Sequence, residues 1–199
     1  SMVGGLIAAG RGVVRPEAVQ AVTATHNGRI GLLATPATVA SGAYAVAVQR
    51  LREGELVGVY PEATISRSFE LKEFKTGAVR MALEAQVPIV PLIVWGAQRV
   101  WTKDHPKSLG RKKIPMIVAV GVPIQPTGSA QQLGDVMREA MTALLHRTQL
   151  EYPHPEGAYW IPRRLGGTAP TMAEAKLLDE AELTERARKR AERETRSRR

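Results

Sequence analysis

The chain has 199 residues, 44% of them hydrophobic, enough to bury one real core with appendages. Cysteine is absent, which excludes disulfides, thiolate metal sites and a cysteine nucleophile, and fits a reducing compartment. The net charge of +9 is unevenly spread: residues 185–199 carry eight Arg/Lys against three Glu, and Lys103, Lys107, Arg111, Lys112 and Lys113 face Asp104 alone. Either cluster suits a polyanion or simple solvation. The inner one lies beside Trp95 and Trp101, and Trp with Lys/Arg is a common pairing at lipid headgroups. The terminal run has no interleaved aromatic residues, so no nucleic-acid partner is expected.

In chain order, Ser1-Met2 reads as an added remnant and stays outside the fold reading. Pro16–Thr25 suits a short helix, and Asn27-Gly28 a turn. Arg29–Thr35 reads as a buried strand. Ser41 opens a helix reaching about Arg52, with Ala43, Val46, Ala47, Arg50 and Leu51 at helical spacing. Leu56–Tyr60 is a strand and Gly77–Ala85 a helix. Ile89–Trp95 and Ile114–Val122 are two further strands, too short and Pro-punctuated for a membrane span of ~18 residues. Leu133, Val136, Met137, Ala140, Met141, Leu144 and Leu145 mark a long amphipathic helix. Beyond Glu151 the chain turns Pro/Gly-rich, and Thr171 with Glu174 forms a capping-box pattern ahead of a charged helix. The alternation predicts an α/β fold: a mixed, partly parallel sheet covered by helices, with an irregular and helical C-terminal extension.

Binding groups in open α/β sheets gather at the carboxyl ends of strands. Tyr60-Pro61-Glu62-Ala63-Thr64 leaves a strand at such an end, and Phe74-Lys75-Thr76-Gly77 opens the next helix. A helix start offers free N–H groups and a positive dipole end, Lys75 adds a full charge, and Gly77 allows close approach. This predicts a phosphate or carboxylate site, against the plainer reading of a solvated Lys, a capping Thr and a packing Gly.

The order of the blocks narrows the reading. Tyr60-Pro61-Glu62-Ala63-Thr64-Ile65, then Phe74-Lys75-Thr76-Gly77, then Val87-Pro88-Ile89-Val90-Pro91 resemble the glycerophospholipid acyltransferase family, which includes the 1-acylglycerol-3-phosphate acyltransferases. The resemblance runs from about residue 42 to 152. It implies an acyltransferase-like fold, acyl-CoA or acyl-carrier protein as co-substrate, a lysophospholipid-like acceptor, no separate cofactor, no metal, and peripheral contact with an anionic membrane surface at its cytoplasmic face. It also implies that Glu62 and Thr64 shape the acceptor site, while Lys75, Thr76 and Gly77 hold its phosphate. Two positions depart: Ala63 replaces the block's glycine, and Ile65 its arginine, for which Arg67 or Arg80 are candidates.

The larger departure is upstream. The family's Asn-His-x-x-x-x-Asp supplies a general base for the acceptor hydroxyl, and none of His26, His105, His146 and His154 fits it. No catalytic residue is therefore assigned. Residues 15–44 resemble a segment of glutamate racemase instead, which would set Thr35 and Thr38 near a carboxylate; without cysteines, racemisation is excluded. The expected organisation is a racemase-like segment over 1–41, an acyltransferase-like core over 42–152 sharing one domain with it, and an irregular segment with a basic helical tail over 153–199. The function this supports is acyl transfer in phospholipid biosynthesis, impaired in this chain. The alternative is a non-catalytic chimeric α/β domain that keeps only an anion half-site or the fold.

Overall fold

A computed structural model describes residues 30–33, 43–62, 64–108 and 113–197. The elements are strand β1 (Ile30–Leu33), helix α1 (Ala43–Arg52), β2 (Leu56–Val59), α2 (Gly77–Ala85), β3 (Leu92–Trp95), β4 (Ile117–Val120), α3 (Ala130–Glu151) and α4 (Met172–Ser197). Short 3-10 turns occupy Ala97–Arg99 and Arg163–Leu165. The fold is mixed α/β. Among the described residues the strands form two pairs: β1 runs parallel to β2, joined by the α1 crossover, and β3 runs antiparallel to β4. The expected helix at 16–25, the Asn27-Gly28 turn and the ends of the first strand lie outside the described residues.

Strands β3 and β4 are shorter than the apolar runs that announce them. Pro88, Pro91, Pro115 and Pro123 have no N–H to give a ladder, so β3 starts after Pro91 and β4 lies between Pro115 and Pro123. Ile89 keeps a two-way bridge with Ile124, at 2.9 and 2.8 Å, that extends the pairing past the proline.

Two helix faces differ from the sequence expectation. On α1 the buried stripe is Ala47 and Val48, flanked by Tyr44 and Leu51, while Val46 is 56% exposed. Positions 44, 47, 48 and 51 are a complete i, i+3, i+4, i+7 set, which the choice of Val46 breaks. On α3, Leu133, Met137, Met141, Leu144 and Leu145 are buried, whereas Val136, about 100° around the helix from Met137, is half exposed. Ser129 and Gln132 form a reciprocal capping box that fixes where α3 begins.

By chain contacts the molecule divides into two units, residues up to Ser66 with Leu71–Pro153, and Arg67–Glu70 with His154–Arg199. In the first, Ile93, Trp95, Met137 and Leu145 are fully buried, and α1 and α2 pack through Ala47, Val48 and Met81. In the second, Trp160, Ile161, Ala169 and Phe69 are buried. Gly167 is obligatory there, because a Cβ would meet the Ile161 carbonyl oxygen at 2.0 Å. Thr171 and Glu174 cap α4 reciprocally, at 2.8 and 3.2 Å.

The second unit also buries a charge. Arg67, 7% exposed, is ion-paired to Asp179 and to Glu182 of α4, the latter at 2.9 Å. Breaking a buried pair by removing one partner costs about 3–5 kcal/mol, and the partial exposure of both carboxylates reduces that. Arg67→Met should therefore lower the stability of this unit by roughly 2 kcal/mol. Urea unfolding followed by α4 helicity checks it; an unchanged midpoint would mean the carboxylates are solvated rather than paired.

Candidate functional site

The two sequence blocks meet in space. Beyond β2, the chain turns at Pro61 and Glu62, both buried. The Lys75 N–H donates to the Pro61 carbonyl at 2.8 Å, and the Lys72 N–H donates to Glu62 Oε2 at 3.1 Å. These two bonds tie the segment before α2 to the turn after β2. Arg138 of α3 secures it from the other side: its Nη2 donates to the Lys72 carbonyl at 2.7 Å, and its guanidinium lies over the Phe74 ring at 4.5 Å.

Of the residues marked from sequence, Glu62 is buried, whereas Thr64, Lys75 and Thr76 are exposed. Thr76 is the N-cap of α2, but its side chain makes no capping bond. The first amides of the helix therefore receive no side-chain acceptor from it, leaving the positive end open to an external anion. Gly77 is the first helical residue, and a Cβ there would meet nothing within 4 Å, so this end faces open space. Ala63 lies outside the described residues.

Burial pushes the Glu62 carboxyl up to about 7, against the pull of the Lys72 N–H and of the Lys72 and Arg138 charges. Near neutrality it populates both protonation states, so it can accept a hydrogen bond or donate one. Burial also raises the Tyr60 hydroxyl.

An apolar cavity of about 410 Å³ lies in the same unit. Its walls are β2, the Val87–Leu92 segment, and Met81, Met137 and Met141, and Pro61 contributes to its rim. Such a lining suits hydrocarbon and offers little to a polar ligand.

Of the two arginines considered for the place of Ile65, Arg67 is held by Asp179 and Glu182, and Arg80 is exposed on α2. Arg138 is the guanidinium at the turn. Sequence reasoning passes over it because it lies 66 residues from Lys72. Its one signal is position, an arginine directly after Met137 of the buried stripe of α3.

His105 and His146 are exposed, and His154 packs against Trp160 with ring centroids 5.9 Å apart. Burial and the nearby Arg164 charge lower the His154 pKa. His26, Thr35 and Thr38 lie outside the described residues. Among the described residues no group of three His, Asp or Glu side chains is placed to hold a metal. No described helix is long and apolar enough to cross a membrane.

Residues 23–95 match the family model described as Acyltransferase. A 1-acyl-sn-glycerol-3-phosphate acyltransferase of Limnanthes douglasii is 35% identical over 116 residues, covering 53% of this chain and 41% of that protein. One from Borreliella burgdorferi is 24% identical over 106 residues, covering 53% of this chain and 40% of that protein. The chain thus spans about two fifths of the length of these curated relatives. Among solved structures, the 1-acyl-sn-glycerophosphate (LPA) acyltransferase PlsC from Thermotoga maritima aligns at a TM-score of 0.47 with 20% identity, over 57% of this chain and 46% of that one. The family model and the curated relatives, taken together, support the acyltransferase family. The family match also runs through residues 23–44, part of the stretch that resembles glutamate racemase.

Proposed function

We propose that this chain carries the acceptor side of an acyltransferase that moves an acyl group from acyl-CoA or acyl-carrier protein to a glycerophosphate or lysophospholipid. The observation that carries the reading is the pair of hydrogen bonds joining Pro61 to Lys75 and Glu62 to Lys72. They bring a buried carboxyl and an uncapped helix start with its lysine to one turn. The phosphate of the acceptor lies at the α2 amides and Lys75, with Arg138 supplying the guanidinium that Ile65 lacks. Glu62 faces the acceptor's hydroxyl groups, Thr64 borders the site, and the apolar cavity takes an acyl chain. The family match from residue 23 onward supports reading β1 as part of this domain rather than as a grafted racemase piece. The acceptor is met at an anionic, cytoplasmic membrane face.

Inorganic phosphate or glycerol 3-phosphate should shift the backbone amide resonances of residues 75–79. Lys75→Ala should weaken that response about tenfold without unfolding the domain, since a charge-assisted bond contributes about 1.5–3 kcal/mol and an exposed one sits at the low end. Shifts elsewhere, with none at these amides, would reduce the half-site to a helix start.

A further inference from the structure

The β3–β4 connection, residues 96–116, leaves one end of its hairpin, because Trp95 pairs with Ile117. Its two ends are stapled together through one side chain. Arg99 donates to the Tyr152 hydroxyl at 2.7 Å, and that hydroxyl donates to the Pro115 carbonyl at 2.7 Å. Gly96, at φ +104°, allows the approach, since a Cβ there would meet the Pro115 carbonyl oxygen at 2.4 Å. The 3-10 turn at Ala97–Arg99 and a 2.8 Å bond from the Ser108 N–H to the Val100 carbonyl close a compact loop above this staple, with Thr102 buried inside it.

From this fixed base two large apolar side chains point outward, Trp101 at 47% exposure and Met116 at 53%. Lys107 lies over the Trp101 ring at 4.8 Å, and Lys113 is exposed on the same connection. A loop that holds an indole in water under an ammonium group keeps its apolar surface and its positive charge together. That combination fits the boundary between phospholipid headgroups and acyl chains.

We propose that the Trp101–Lys107 loop, with Lys113 and Met116, is the surface by which this chain docks on anionic phospholipid. The choice of phospholipid as partner rests on the acyltransferase reading above. The terminal helix is the weaker candidate although it carries more basic residues. Four of its cations are paired along the helix, Arg186 with Glu182, Arg190 with Glu194, and Arg188 and Lys189 with Glu185. Hydrogen bonds from Arg188 and Lys189 hold Glu185 down to about 2.

The test uses the full chain with vesicles of phosphatidylcholine, alone or mixed with phosphatidylglycerol. Of the three tryptophans, Trp95 and Trp160 are buried, so a change in indole emission reports on Trp101. The mixed vesicles should shift the emission to the blue and add quenching by lipids brominated near the headgroup. Trp101→Ala should abolish both responses. Lys107→Ala should lower partitioning about fivefold at low salt, given ~1 kcal/mol per basic residue near an anionic surface, and high salt should erase that difference. Equal binding to neutral vesicles, a blue shift that survives in Trp101→Ala, or a response to single-stranded nucleic acid without one to vesicles would overturn the proposal. No acyl substrate enters the assay. Vesicle docking without phosphate shifts at residues 75–79 would sink the acyltransferase reading alone, and phosphate shifts without docking would sink this one alone.

Discussion

Incubated with acyl-CoA and lysophosphatidic acid, the purified chain should release no free CoA above the rate without protein. Attack on a thioester requires that the acceptor hydroxyl lose its proton as the bond forms, and a positioned base contributes typically ~10²–10⁴-fold. The sequence contains no His-x-x-x-x-Asp ahead of the Glu62 turn. His105 and His146 are exposed on other elements, and His154 packs on Trp160. Glu62 serves as an acceptor ligand rather than a replacement base, because one of its oxygens is already held by the Lys72 N–H. The assay is run beside Glu62→Gln and His26→Ala. Robust turnover lost in His26→Ala would identify that histidine as the base and overturn the expectation. Turnover lost only in Glu62→Gln would assign proton abstraction to the carboxyl.

The second large effect is a pH dependence of stability centred on Glu62. Its folded pKa of about 7 lies above the ordinary value of 4.5, so the folded chain holds this proton more tightly than the unfolded one. Where the folded state binds more protons, stability falls with rising pH. The loss begins above about 4.5, runs to about 7 and is complete beyond it. At 1.36 kcal/mol per pKa unit, a shift of this size is worth about 3 kcal/mol. Glu62→Gln keeps an acceptor for the Lys72 N–H and removes the ionisation. Urea midpoints of the two proteins should therefore converge near pH 4.5 and separate by pH 8, with the glutamine variant the more stable. Parallel pH curves would mean that Glu62 is hydrated and titrates normally.

Where local pattern and tertiary contact agree, the sequence was legible. Helix α2 begins and ends where Gly77 and Ala85 bound the apolar rhythm, and α4 starts at the Thr171–Glu174 capping box. Strands β3 and β4 were located but overdrawn, because hydrophobicity runs through a proline that hydrogen bonding does not cross. The half-site was legible as two blocks, since a strand end and a helix start carry their own chemistry. Its third component was not. Arg138 reaches Lys72 and Phe74 from α3, and no local spacing encodes a contact made 66 residues away. The same holds for Arg67, weighed from sequence for the place of Ile65, whose partners Asp179 and Glu182 lie more than 110 residues on.

Helix α4 rises about 39 Å over its 26 residues, yet its anchoring is all at one end. Ala175 is its one buried residue among those described, and Asp179 and Glu182 are its last hold on Arg67; from Arg186 to Thr195 every side chain is exposed. An isolated helical stretch shorter than about 12–15 residues is marginal in water. Hydrogen exchange along α4 should therefore form a gradient, slow near Ala175 and fast beyond Glu192, with no single step. The exposed outer turns should open before the inner ones, and added salt, by screening the Glu–Arg ladder, should move the opening point inward toward Glu182.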